Sequence, residues 1–298
     1  MFFRLIGYLK ERDVKFYENF PLSGVSSIKC GGSARFYVLP DSRNKLIEII
    51  RFLERLGIKY KLVGNMTNLL PPDSFFDGVV VSTLELKDWY ISDNLAVMQC
   101  GCLFKTVLAR LANKGVSISE ELFMIPGTVG AMCACNAGAH GREIKDVFVS
   151  AEAYDKGADK IITLSYEDLC FDYRTSSVKG SELILLDCKF SFKRDEKKDI
   201  CKRIGEFSSL RRTAQPTNLP SLGSFYKRKG GVGMGYYIDK AGIKGFTIGG
   251  AQISKKHAGF FVNCGGATAK DFYLLDSYVS QCLFEKYGFI PEREVEFM

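Results

Sequence analysis

Residues 125 to 141, Ile-Pro-Gly-Thr-Val-Gly-Ala-Met-Cys-Ala-Cys-Asn-Ala-Gly-Ala-His-Gly, are almost free of bulky side chains. Glycine allows tight turns and close approach of a ligand to the backbone, and successive amides in such turns cradle phosphate oxygens. This composition suits recognition of a nucleotide-type cofactor threaded along the chain. The alternative is a small-residue packing site between helix and sheet, and the stretch alone leaves both open. A second glycine-led loop, Gly-Asn-Met-Thr-Asn-Leu-Leu at 64 to 70, is a further candidate for holding phosphate. The pairs Cys100/Cys102 and Cys133/Cys135 lack the Cys-x-x-Cys spacing of a zinc site, and only His140 and His257 could assist them, so no metal is expected.

The elements that must position these loops follow from periodicity. Ala34 to Leu39 reads as a strand. Ile47, Ile49, Ile50, Leu53 and Leu56 then recur at helical spacing up to Gly57, and Lys59 to Val63 reads as the next strand, giving a β-α-β unit that delivers the Gly64 loop. Strands are expected near Val79 to Val81 and Leu95 to Gln99, with a helix over Phe104 to Asn113 closed by Gly115. Beyond the small-residue run, Val147 to Tyr154 and Lys160 to Leu164 flank Asp-Lys-Gly-Ala-Asp as a hairpin, and Leu183 to Phe192 supplies another strand. The charged run from Arg194 opens a helix to about Leu210 and marks the expected boundary: a cofactor half over 1–194, in two subdomains of about 1–70 and 71–194, and a second domain over 195–298. A last helix is expected from the N-cap Thr268 to Gly288, with Phe272, Leu275, Val279, Cys282 and Leu283 on its apolar face.

Composition bounds the class. A chain of 298 residues with 46% hydrophobic content is ordinary for a globular protein. Its start lacks the uninterrupted apolar core of a signal peptide and no later run is long enough to span a bilayer, so a cytoplasmic setting without membrane insertion is expected, with ten reduced cysteines. The formal charge of +7 comes from basic residues interleaved with acids, apart from short clusters such as Lys227-Arg228-Lys229. An anionic small molecule accounts for it as well as nucleic acid does. No nucleic-acid partner and no obligatory protein partner is inferred.

Taken in order, the loops carry more than each does alone. They are Cys-Gly-Gly-Ser-Ala at 30 to 34, the loop at 64 to 70, the run at 125 to 141 and Phe-Asp-Tyr-Arg-Thr-Ser at 171 to 176. Then come Gln215-Pro216, Gly223-Ser-Phe-Tyr-Lys227, Ala241-Gly-Ile-Lys-Gly245, Ser254-Lys-Lys-His-Ala258 and Glu294-Val295. From about Ser26 to Val295, this series resembles the UDP-N-acetylenolpyruvoylglucosamine reductase (MurB) family, in the shorter form that lacks an inserted tyrosine loop. The resemblance implies an α+β fold: a vanillyl-alcohol-oxidase/PCMH-type FAD-binding half of two α+β subdomains plus a C-terminal α+β substrate domain. It implies non-covalent FAD, NADPH as reductant, and reduction of UDP-N-acetylglucosamine enolpyruvate to UDP-N-acetylmuramate in peptidoglycan precursor synthesis. The competing readings are another FAD oxidoreductase of this fold acting on a different anion, and a non-enzymatic nucleotide-binding regulator.

The resemblance also assigns residues. Arg174, Ser224 and Glu294 fall on the three catalytic positions, and Tyr173 and Lys227 on substrate-binding ones. Gly31, Gly32, Gly64, Asn65, Met66, Thr67, Asn68, Pro126, Gly127, Thr128, Gly130, Asn136, Gly138 and Gly141 would hold the cofactor. The chemistry is consistent with this set: hydride addition to the terminal carbon of an enol ether builds carbanion character beside a carboxylate, which calls for cationic or acidic stabilisation and a proton donor. Arg174 would grip the carboxylate with its planar fork, Glu294 would share the stabilisation, and Ser224 would protonate the carbon. Without the ordered series, the three read as a strand-end arginine, a turn serine and a solvated acid. His257 is expected to be structural, and His140, where the family often has tyrosine, to sit near the flavin without chemistry. Three departures stand out: Met66 and Ala131 replace family glycines, and Arg228-Lys229 replaces Asn-Pro.

Overall fold

The structure, a computed structural model, describes residues 2–298. It is α+β, as expected, and divides into two compact units, each assembled from separate stretches of chain. One comprises the residues up to Tyr17, Phe36–Asn65 and Gly78–Ser209; the other comprises Glu18–Arg35, Met66–Asp77 and Leu210–Met298. The expected halves are contiguous with a cut at 195, whereas the two units interleave along the chain, and the last stretch of the second begins at Leu210, within the helix Lys197–Ala214.

In the first unit, the strand Tyr60–Val63 runs parallel to Phe76–Ser82, with Tyr60 opposite Val79. The sheet order Lys15–Pro21, Ser33–Leu39, Phe76–Ser82, Tyr60–Val63 places the 76–82 strand between the two strands of the expected β-α-β unit. Their crossover helix, Arg43–Arg55, starts at Ser42, whose hydroxyl accepts from the Lys45 amide, and buries Leu46, Ile47, Ile49, Ile50 and Leu53. A five-stranded antiparallel sheet follows the order 160–165, 148–155, 183–191, 95–99, 89–92. The hairpin closes with Asp155 opposite Lys160, as the Asp-Lys-Gly-Ala-Asp turn predicts. Arg43 ties helix to sheet, reaching Glu152 at 2.7 Å and Asp187 at 2.6 Å. One apolar core runs from Leu5 to Phe190, and Phe104, Phe148 and Phe190 stack edge-on within it.

The second unit is built on an antiparallel sheet in the order Ser221–Ser224, Phe260–Asn263, Ala251–Ile253, Thr247–Ile248. The helix Ala269–Tyr287 buries Phe272, Leu275, Val279 and Leu283 in that unit's own core. Thr268 and Asp271 cap it reciprocally, and Gly288 ends it at a φ of +74°, so the sequence signals at both ends hold. Short polar ties bind the distant stretches of this unit. Asp73 accepts from the amides of Ala269 at 2.7 Å and Lys270 at 2.8 Å, and Asn263 donates to the Ile28 carbonyl at 2.9 Å. Among the described residues, no helix is long and apolar enough to cross a membrane.

Candidate active site

Two glycine loops meet in the first unit. The Asn65 side chain donates to the Pro126 carbonyl at 2.9 Å, and a Cβ on Gly64 would lie 2.3 Å from Oγ1 of Thr128, so only glycine permits this approach. Gly130 is fixed in the same way: its amide donates to the Cys100 carbonyl at 2.8 Å, and an added Cβ would meet the Cys100 side chain at 2.9 Å. The backbone N–H groups of Gly64, Asn65, Gly127 and Thr128 donate to no acceptor among the described residues. Gly127 and Thr128 are buried, and a buried amide normally has a partner. Four free donors on two cross-braced loops fit the phosphates of a dinucleotide such as FAD.

Other residues of the run turn out to be committed to the protein itself. Asn136 is fully buried; its side-chain nitrogen donates to Glu143 and to the Asp172 carbonyl, both at 3.0 Å, and its oxygen accepts from the Lys145 amide at 3.1 Å. Gly141, at a φ of +82°, forms with His140, at +52°, the turn between Ala139 and Arg142, a conformation that two-residue hairpin loops require. The His140 ring packs on Phe207 at 5.1 Å between centroids. Gly138 sits against Glu143 and the Arg174 guanidinium, where a side chain would not fit.

Tyr173 and Arg174 form the tip of a tight turn closed between Asp172 and Thr175. Arg174 has a φ of +59°, an uncommon backbone for a bulky residue. Its Nη2 donates to the Gly138 carbonyl at 3.2 Å, and Nη1 lies 3.9 Å from Glu143. The guanidinium is thus anchored to the small-residue run, and its carbon lies 5.0 Å from the Tyr173 ring centroid.

The second unit holds Ser224, Lys227 and Glu294 on two paired segments. The amides of Glu294 and Val295 donate to the Phe225 carbonyl at 2.9 and 3.3 Å, and the Lys227 amide donates to the Glu292 carbonyl at 2.8 Å. Ser224 follows Gly223, whose φ of +82° kinks the edge strand, and its hydroxyl donates to the Tyr226 carbonyl at 3.2 Å. Lys227 is ion-paired with Glu292 at 2.6 Å. The Asn68 side-chain nitrogen donates to the Glu294 carbonyl at 2.9 Å and so supports the segment that carries Glu294. Gly31 and Gly32 also have a packing reason, since Cβ atoms there would fall 2.7 Å from Pro71 and 2.3 Å from the Asp73 carbonyl. Thr67 is half-buried in the loop between Met66 and Asn68.

Met66 has a φ of +46° and is 4% exposed, which explains why glycine suits this position. The left-handed backbone costs a side-chain-bearing residue roughly 1–2 kcal/mol. Burying methionine returns about 1.5–3 kcal/mol, and glycine would add about 0.4–1 kcal/mol of unfolded-state entropy. Burial wins, so Met66→Gly should lower stability by about 1 kcal/mol in urea unfolding. A more stable variant would show that strain dominates.

Sequence reasoning missed Arg211. It lies in the last turns of the helix Lys197–Ala214 and is half-buried, its side chain has no hydrogen-bond or ion-pair partner among the described residues, and burial lowers its pKa. A desolvated guanidinium without a counter-ion is suited to an anionic ligand. The only signal in the sequence is its place just before Gln215-Pro216.

His257 is structural, as expected. Its Nδ1 accepts from the Gly259 amide at 3.1 Å, so the neutral ring carries its proton on Nε2. Burial lowers its pKa; the backbone hydrogen bond opposes this shift, and the Lys244 charge adds to it. A depressed folded-state pKa means that the unfolded chain binds the proton more readily, so this contribution is full above the ordinary imidazole value of about 6.5 and is lost as pH falls below it. The thermal midpoint should fall from pH 7 to pH 5, and His257→Gln should flatten that dependence. An unchanged slope would remove His257 as its source.

The fold and the paired glycine loops define an FAD-binding α+β protein, and residues 34–165 match the family model described as "FAD binding domain". Residues 215–298 match the C-terminal domain of UDP-N-acetylenolpyruvoylglucosamine reductase. The UDP-N-acetylenolpyruvoylglucosamine reductase of Caldicellulosiruptor saccharolyticus is 38% identical over 292 residues, covering 97% of this chain and 94% of that protein. That of Lactobacillus helveticus is 34% identical over 287 residues, covering 96% of each. The crystal structure of the Thermus caldophilus MurB enzyme superposes with a TM-score of 0.79 at 28% identity, covering 95% of this chain and 98% of that one. The chain belongs to the UDP-N-acetylenolpyruvoylglucosamine reductase family.

Proposed function

We propose that this protein reduces the enolpyruvyl ether of UDP-N-acetylglucosamine to UDP-N-acetylmuramate, a step in cytoplasmic peptidoglycan precursor synthesis, with NADPH as the source of electrons. The kinship across nearly the whole chain carries this reading. When bound, FAD would supply the hydride, with NADPH as the source of its electrons. The free amides of Gly64, Asn65, Gly127 and Thr128 would hold its phosphates.

The protein's own residues handle the substrate anion and the proton. Arg174, held by Gly138 and Glu143, keeps N–H donors in a rigid plane, and two-pronged binding of the substrate carboxylate would polarise the adjacent carbon. As the hydride reaches the terminal carbon of the enol ether, the double-bond electrons move to the carbon beside the carboxylate. Ser224 delivers the proton to that carbon, leaving a saturated lactyl ether. Glu294 shares in stabilising the developing charge, and Tyr173 and Lys227 bind the nucleotide sugar. Ser224 must release the Tyr226 carbonyl to act, a single rotation about its side-chain bond.

The purified protein should be yellow, and acid precipitation should release the flavin into the supernatant. NADPH oxidation should depend on the enol ether. Colour that stays with the pellet would contradict non-covalent binding; a colourless protein that does not take up FAD would overturn the reading.

A further inference from the structure

Beneath the segments that carry Ser224 and Glu294 lies one carboxylate. Asp276, on the helix Ala269–Tyr287, is 1% exposed. Its Oδ1 accepts from the Tyr226 hydroxyl at 2.7 Å, and its Oδ2 accepts from Nε of Arg293, also at 2.7 Å, with Nη2 at the same distance. Tyr226 is two residues beyond Ser224, Arg293 directly precedes Glu294, and the two lie opposite each other across the pairing of their segments. The two oxygens of one side chain therefore hold both segments, one on each.

Burial of the charge makes the arrangement stiff. An ionised carboxylate this buried requires charge-assisted partners on both oxygens, and withdrawing one leaves charge stranded in the core. The Tyr226 phenol is buried beside that charge, which pushes its pKa up, first through burial and then through Asp276, so it stays a neutral donor. The backbone pairing fixes the spacing of the segments, and the clamp fixes their height above the helix.

We propose that Asp276, through Tyr226 and Arg293, is a positioning residue that sets Ser224 and Glu294 at the geometry the proton-delivery step requires. This rests on the proposed roles of Ser224 and Glu294. A displacement of about 1 Å costs a reaction on the order of 10²-fold, so the clamp should act on the rate of one step rather than on binding.

The test uses the FAD-loaded enzyme in stopped flow. Asp276→Asn keeps the shape and a hydrogen-bond acceptor for Tyr226 but removes the charge that holds Arg293. Its reduction by NADPH should stay within about twofold of normal, while its reoxidation by the enol ether should slow by about 10-fold to 10²-fold with KM little changed. The amides of Lys227 and Glu294 should exchange hydrogen faster in this variant. Asp271→Asn, which weakens the cap of the same helix, should lower the thermal midpoint without slowing one half-reaction selectively. If Asp276→Asn does not fold, Arg293→Lys carries the test, with the same selective loss expected at smaller size.

Equal slowing of both half-reactions, or an unchanged second half-reaction in a folded clamp variant while Ser224→Ala slows it, overturns the clamp alone. A normal second half-reaction in Ser224→Ala overturns the underlying assignment and the clamp with it.

Discussion

Ser224→Ala is expected to separate the two halves of the catalytic cycle. Taking a hydride from NADPH needs alignment only, whereas reducing the enol ether also needs a proton at the neighbouring carbon. Losing a positioned proton donor costs on the order of 10²-fold or more. In stopped flow the variant should be reduced at close to the normal rate and reoxidised by substrate at least ~10²-fold more slowly. Folding should survive, because the hydroxyl's hydrogen bond within the protein is to the Tyr226 carbonyl, two residues away in a half-buried turn. Normal reoxidation, or equal loss of both steps, would show that Ser224 does not deliver the proton.

Arg174→Lys is expected to be almost as damaging although it keeps the charge. The guanidinium spans the Gly138 carbonyl on one nitrogen and approaches Glu143 with the other. Lysine offers a single point charge that cannot hold this frame and also present two parallel donors to a carboxylate. Turnover should fall by about 10²-fold or more, the order expected for losing a preorganised charge stabiliser, while FAD content stays near normal. Near-normal turnover in the lysine variant would reduce Arg174 to a general electrostatic role.

Much of this was legible in the sequence where local rules act alone. Gly57 ends the first long helix, Thr268 and Gly288 bracket the last, and the turn at 155 to 159 closes its hairpin, because caps and turns depend on neighbouring residues. The insertion of the 76–82 strand between Ser33–Leu39 and Tyr60–Val63 was not legible, since strand order depends on partners far apart in the chain. Nor was the return of residues 18–35 and 66–77 to the C-terminal unit, which depends on polar ties such as Asp73 to the Ala269 amide.

At the site, motif order located the glycine loops but could not divide their labour. Gly64 and Gly127 belong to loops with free amides, whereas Gly31, Gly32 and Gly141 are accounted for by close packing and a hairpin turn. Asn68 and Asn136 have side chains occupied within the protein, and only coordinates distinguish an occupied amide from a free one. The clamp at Asp276 escaped notice because a buried acid on an apolar helix face carries no local signature.

The most direct test of the central claim is made without oxygen. The FAD-loaded protein is bleached with stoichiometric NADPH, then mixed with UDP-N-acetylglucosamine enolpyruvate or with other enolpyruvyl anions. The UDP-sugar ether alone should restore the yellow flavin rapidly, with a matching amount of UDP-N-acetylmuramate formed. Flavin that stays bleached with this ether, or that is restored equally well by the other anions, would contradict it.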